Sequence, residues 1–280
     1  MPIDLATVGT TTAPVSFAYD WKTTVLYALG IGAKREELDY LYEGRGPKVY
    51  PTFAVVPAMP VIGECLARTK GNVAMVVHGA QSVVVHRDVP PEGKVLTTGT
   101  IKAIYDLKRF AQVIFTTETK TDAGEPLFDT EWSIIFRGEG GFGGPPPPKR
   151  EDAGVPKDRP ADFRIEEKTT PEQALLYRLS GDLNPLHADP EFAKAVGFPQ
   201  GPILHGLATY GFATRALVKG LFDGDATKLG RIDAQFRKPV WPGDTLVTEG
   251  WKLDDGKIAF TVSVLERPEQ VITGAWARAR

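Results

Sequence analysis

A run of glycine and proline near the middle of the chain most constrains what it can fold into. Gly138 to Arg159 contains Gly140-Gly141-Phe142-Gly143-Gly144 and then Pro145 to Pro148. Glycine disfavours regular structure there, and consecutive prolines are stiff and extended. The run therefore reads as a linker over residues 140–159, between a first half at 1–139 and a second half at 160–280. A length of 280 residues fits one large domain or two ordinary ones, each able to bury a core.

The two halves follow one plan. In the second, Phe163-Arg164-Ile165 is a short strand candidate. Thr170-Pro171-Glu172-Gln173 then opens a helix over Pro171–Leu179, with Thr170 as N-cap and Gln173 closing a capping box. After a loop, Leu207, Tyr210, Gly211, Thr214, Leu217, Val218 and Leu221 recur at helical spacing and predict a long central helix. Strand candidates follow at Leu229–Phe236, Thr245–Lys252, Lys257–Leu265 and Gln270–Ala277, separated by Pro242-Gly243-Asp244 and Asp254-Asp255-Gly256 turns. The first half repeats the order. Helical stretches at Trp21–Leu29 and Pro57–Ala67 precede strand candidates at Ala74–His86, Val95–Tyr105, Gln112–Thr119 and Leu127–Phe136. Helices followed by consecutive antiparallel strands indicate an α+β fold, with a sheet wrapped on a helix in each half. Strands and helices do not alternate, and no G-x-G-x-x-G or P-loop is present, so a doubly wound nucleotide fold is not expected.

Composition narrows the function classes. A hydrophobic content of 42% and a charged content of 24% are those of a soluble globular protein. The formal net charge of −2 supplies no basic surplus for nucleic acid or an anionic membrane. The single cysteine, Cys65, rules out an internal disulfide and a thiolate metal cluster, and points to a reducing compartment. It lies in the apolar stretch Val61–Leu66 and reads as a buried structural thiol. No apolar run approaches the roughly 20 residues of a membrane span. Met1-Pro2-Ile3-Asp4 lacks the pattern of a signal peptide, and Ala277-Arg278-Ala279-Arg280 is not a peroxisomal tripeptide, so a cytoplasmic location is expected.

Chemistry concentrates between Tyr177 and Gly211. Asp182 and His187 are five residues apart, with Asn184 and Pro185 between them. Gly181 and Pro185 break a helix, so the pair sits on a turn, where a rigid scaffold commonly carries reactive groups. Adding water across a conjugated double bond needs a proton acceptor, a proton donor and a stabiliser for enolate-like charge. A carboxylate and an imidazole gripping one water can serve the first two. Backbone N–H groups at a helix start can serve the third, and Gly206, opening the long helix, has no side chain to block a thioester oxygen. A bland alternative stands beside each. Asp182 and Asn184 are also ordinary turn and capping residues, and His187 can be a hydrogen-bonded buried histidine. His205 follows the apolar Pro202-Ile203-Leu204 and reads as structural. His78 and His86 share a strand face by even spacing, and without a nearby carboxylate pattern they do not read as metal ligands.

The segment resembles the MaoC-like dehydratase family, and more narrowly its hydratase 2 group, the (3R)-specific enoyl-CoA hydratases. The residues that carry the resemblance are Ser180-Gly181-Asp182-Leu183-Asn184-Pro185-Leu186-His187, Asp189-Pro190, Ala193, Gly197-Phe198 and Pro202-Ile203-Leu204-His205-Gly206-Leu207. Tyr27–Ala33, Pro51-Thr52-Phe53 and Phe236–Asp244 extend it over nearly the whole chain. The resemblance implies a double hot-dog, two long central helices each wrapped by antiparallel strands and joined into one extended sheet. It implies reversible hydration of a trans-2-enoyl-CoA to a (3R)-3-hydroxyacyl-CoA, with no metal or other cofactor, in a homodimer. By position, Asp182 and His187 would activate the water, Asn184 would order the loop, and the N–H of Gly206 would bind the thioester oxygen. The first half lacks the Asp-x-Asn-Pro-x-His run, so its implied part is to accommodate the acyl chain. Arg237 and Lys238, after a strand, are candidates for the CoA phosphates, or else a solvated strand end. Pro199-Gln200-Gly201 makes the loop one residue longer than the family spacing. Gly201 can absorb the extra residue, or the insertion can displace Gly206. A non-catalytic acyl-CoA-binding subunit and a hot-dog thioesterase are the alternatives, since fold alone does not choose among these chemistries.

Overall fold

Residues 3–280 are described by the computed structural model; Met1 and Pro2, part of the N-terminal segment weighed above as a leader, lie outside the described residues. In chain order the first half comprises β1 (Val15–Tyr19), α1 (Trp21–Gly30), α2 (Leu38–Leu41), α3 (Val55–Arg68), β2 (Val76–Val85), β3 (Gly93–Asp106), β4 (Phe110–Thr121) and β5 (Pro126–Arg137). The second half comprises β6 (Phe163–Lys168), α4 (Gln173–Tyr177), α5 (Pro190–Ala195), α6 (Gly206–Leu221), β7 (Leu229–Phe236), β8 (Thr245–Lys252), β9 (Lys257–Val264) and β10 (Arg267–Ala279). All ten strands form one antiparallel sheet in the order β1-β3-β4-β5-β2-β7-β10-β9-β8-β6. The expected double hot-dog is thus the observed architecture, and the β2–β7 pairing, Ala80↔Gln235 to Val84↔Arg231, is the seam between its halves.

Each half-sheet wraps one long helix. The α3 helix lies against β3 and β4 and buries Val55, Val56, Ala58, Ile62 and Cys65. Burial pushes the Cys65 thiol up to about 11, in keeping with an inert core residue. The α6 helix is buried on every side from Leu207 to Val218. Its second cover is the end of α1 and the turn after it. A Cβ at Gly211 would lie 2.2 Å from Ile31, so only glycine permits this approach. The α1 helix in turn packs on α4. Asp20 caps α1 reciprocally with Thr23, which fixes where that helix starts.

Three expectations need correction. The helix expected over Pro171–Leu179 begins at Gln173, with Glu172 as N-cap. Gln173 Oε1 accepts from the Thr170 N–H at 3.4 Å, but the Thr170 hydroxyl turns to that same side chain and not to the helix backbone, so the box is half made. Instead, Gln173 Nε2 donates to the carbonyls of Leu29 and Gly30, tying α4 to the end of α1. His78 and His86 do not share a face, because the β2–β5 register shifts between His78 and Ala80. One extra residue reverses the alternation beyond it, so His78 faces inward against Trp132, while His86 is paired outside with Asp129. The short edge strand β1 was not anticipated at all.

Residues 138–162 contain neither helix nor strand, yet they are tethered. The Asp106 carboxylate accepts from the N–H groups of Gly141 and Gly143, and Arg150 pairs with Glu131 of β5 and Asp233 of β7. Glu131 and Asp233 both lie opposite Ser82 of β2, so Arg150 bridges the outer face of the seam. No helix among the described residues is long and apolar enough to cross a membrane.

A buried ion cluster ties the halves together on the other side. Arg215 of α6 is fully buried and pairs with Glu37, which precedes α2, and with Glu167 of β6 at 3.1 Å. It also donates to the Ile31 carbonyl, and Tyr50 donates to Glu37 at 3.0 Å. Removing one member of such a cluster strands the rest without compensation. Arg215→Met is expected to lower unfolding stability by about 3–5 kcal/mol, measured as a fall in the denaturation midpoint.

Candidate active site

The loop after α4 owes its shape to its own sequence. Gly181 takes φ +118°, which ends the helical turn Arg178–Ser180. The Asp182 carboxylate accepts from the Asn184 N–H at 3.2 Å, and the Asn184 side chain accepts from the Leu186 N–H at 3.0 Å. Asn184 therefore caps a single 3-10 turn, Pro185–His187, with proline at its first position. Asp189 caps α5 in the same way. The turn delivers His187 inward, where it is buried, while Asp182 stays partly exposed.

His187 has a defined tautomer. Its Nδ1–H donates to the Ile203 carbonyl at 2.8 Å, since a carbonyl can only accept, and Nε2 is left as an acceptor. Burial holds the ring below the ordinary histidine range, although Asp182 and the Ile203 bond act the other way. His205 stacks on it with ring centres 3.7 Å apart and planes 26° from parallel. The Nε2–H of His205 donates to the backbone carbonyl of Asp182 at 3.1 Å, and burial keeps this ring neutral.

Gly206 is the first residue of α6, and its N-cap, His205, makes no side-chain capping bond. The first N–H groups of the helix have no intrahelical acceptor and carry the positive end of its dipole. In the preceding loop Gly201 adopts φ +111° and donates to the Phe198 carbonyl at 3.1 Å. A Cβ on Gly206 would meet Phe236 at 3.6 Å, an ordinary contact, so crowding does not demand glycine there.

Asp182, Asn184, His187, Gly206, Arg237 and Lys238 all line one cavity of about 610 Å³. Its other walls come from both halves: from the first, Met59, Ile62 and Leu66 on one face of α3 with Val76 and Val77 of β2 and Ile134 of β5, and from the second, residues such as Leu204, Leu207 and Val240. His78 completes an aromatic wall, stacked on Trp132 at 5.2 Å and edge-on to Phe236 at 4.9 Å, where burial pushes it down to about 4. The two cations, both exposed, differ. Arg237 is occupied, donating to Thr273 and to Gln235 at 2.7 Å each, whereas the Lys238 side chain makes no hydrogen bond or ion pair among the described residues.

Sequence reasoning did not place His205, His78, Trp132 or Phe236 at the site. A histidine at a helix N-cap, where Ser, Thr, Asp or Asn is usual, was the available signal for His205. The others come from strands whose inward face the sequence could suggest but whose common cavity it could not. Asp182, His187 and His205 each bring one possible metal-ligand atom within 4.8 Å of the others. The Nδ1 of His187 and the Nε2 of His205 are already bonded to the carbonyls of Ile203 and Asp182. The arrangement is suited to moving a proton between water and a substrate held beneath a helix N-terminus.

Known proteins resemble the chain in both of its halves. Residues 17–138 match the model of the MFE-2 hydratase 2 N-terminal domain, and residues 152–275 that of the MaoC like domain. The chain is 38% identical over 273 residues to 3-hydroxyacyl-thioester dehydratase Y of Mycobacterium tuberculosis, covering 94% of this chain and 92% of that protein. It is 35% identical over 279 residues to the peroxisomal enoyl-CoA hydratase 2 of Arabidopsis thaliana, covering 92% and 89% respectively. The crystal structure of a MaoC-like dehydratase from Phytophthora capsici superposes with a TM-score of 0.88 at 30% identity, over 99% of this chain and 98% of that one. With both halves matched in order and relatives aligned over most of their length, the chain belongs to the MaoC-like dehydratase family, in its two-half hydratase 2 form.

Proposed function

We propose that the chain hydrates trans-2-enoyl-CoA reversibly to (3R)-3-hydroxyacyl-CoA, with Asp182 and His187 as the groups that activate water. The observation that carries this reading is the convergence of the pair and the uncapped start of α6 on one apolar-walled cavity. A water held between the Asp182 carboxylate and His187 Nε2 attacks C3. The C2–C3 π electrons move towards the thioester oxygen, which the Gly206 N–H receives. The pair takes a proton from the water and returns one to C2, so the bond count balances without a metal or redox cofactor. Asn184 serves by holding the turn that presents His187.

The acyl chain runs along the apolar wall of the first half towards α3, and the CoA phosphates meet Lys238 at the cavity mouth. Arg237 is pre-paired with Thr273 and Gln235, so its part is to stiffen that mouth. A homodimer in the cytoplasm completes the reading. The sheet ends on β1 and β6, whose unpaired backbone groups are open to a second copy.

Asp182→Asn and His187→Gln are each expected to slow the absorbance loss of crotonyl-CoA by at least about a hundredfold, with no free CoA thiol released by the unaltered protein and no loss of rate after chelation. Thiol release would favour thioesterase action, and tight acyl-CoA binding without turnover would favour a binding subunit. Lys238→Ala is expected to raise KM for enoyl-CoA by roughly two- to fivefold with kcat unchanged, as befits one exposed charge. Light scattering is expected to give twice the chain mass; the mass of a single chain would refute the dimer.

A further inference from the structure

We propose that His205 is a positioning residue that holds both members of the Asp182–His187 pair through one ring. This rests on the reading of those two residues as the water-activating pair. The ring touches each by a different interaction. Its Nε2–H fixes the backbone of Asp182 through the carbonyl, and its face covers the face of His187. The Nδ1–H bond to Ile203 restrains His187 along one axis but leaves the ring able to pivot about it. The stack with His205 blocks that pivot and so aims Nε2.

His205 is itself held. It is 1% exposed, and Tyr177 of α4 packs on it at 4.9 Å, with Tyr27 of α1 behind Tyr177 at 6.1 Å. Its side chain does not cap α6, although it occupies the N-cap position. Its Nδ1 is buried without a hydrogen-bond partner. A buried orphan acceptor is costly and calls for an explanation; here the ring is oriented for Asp182 and His187 and not for its own satisfaction. The charged and titratable groups facing the two rings are Asp182 in the loop, Arg178 in the turn after α4 and Tyr177 of α4.

The stack also bears on charge. Whenever His187 holds a proton, the cation lies on the face of a second imidazole ring. A second proton on His205 is opposed by burial and by His187 itself. One ring of the two therefore changes charge during turnover.

Two variants separate the interactions. His205→Phe keeps a flat ring against His187 and removes the donor to Asp182. His205→Gln keeps a donor and removes the ring. Each is expected to lower kcat for crotonyl-CoA hydration by roughly ten- to a hundredfold through misplacement of the pair, with KM changed little. In the wild type, kcat/KM falls on the acid side below the ordinary histidine value near 6.5. That limb is expected to move in His205→Gln and to stay in His205→Phe. Folded variants with unchanged kcat and an unmoved limb would overturn the proposal. If neither variant folds, histidine ring NMR of the wild type decides it: His205 signals should shift in step with the titration of His187 while His205 stays neutral, and independent titrations would refute it. If Asp182→Asn or His187→Gln retains full rate, the pair itself falls; if both lose it while the His205 variants do not, only this proposal falls.

Discussion

Five residue pairs between β2 and β7 hold this molecule in its working form. They convert two half-sheets into one and set the inner faces of both halves around a common space. Val83 and Ile232 meet directly across the seam and are fully buried, so the joint is apolar inside as well as hydrogen-bonded along its length. On the outer face the linker closes the same joint, through Arg150 between Glu131 and Asp233. Without the seam, the pair on the second half would face water, and the apolar wall of the first half would face nothing.

The division of labour between the halves follows from this. The second half supplies a short, strongly determined loop whose Asx caps and glycine turn present Asp182 and His187 beside a helix start. The first half supplies shape. Its helix α3 places Met59, Ile62 and Leu66 on one side of the cavity, and its bulge in β2 swings His78 into the wall. The end of α1 crosses to pack on α4 and α6, and Arg215 locks that crossing with carboxylates from both halves. The loop that carries Asp182 and His187 is therefore braced from behind by the half that lacks the Asp-x-Asn-Pro-x-His run.

Much of the fold was legible because its signals are local. Strand-forming runs between turn residues marked nine of the strands, and apolar residues at helical spacing marked α6. The strand β1 is five residues long and borders solvent, so it has little pattern to read. The start of α4 was misplaced because Gln173 bonds to α1 rather than completing a local cap, and a distant partner outweighed a nearby one. The expected shared face of His78 and His86 failed for one inserted residue, which alternation counts cannot register.

The sequence by itself determined the two-half plan, the turn that carries Asp182, Asn184 and His187, and the glycine that opens the long helix. These depend on residues within a few positions of one another, where backbone preference and side-chain capping act directly. Tertiary structure alone decided that these residues and the wall of the other half line one cavity, that Arg237 is occupied while Lys238 is not, and that His205 lies on His187. Those facts depend on contacts between residues far apart in the chain, and such contacts exist only once burial of the common core has brought the two halves together.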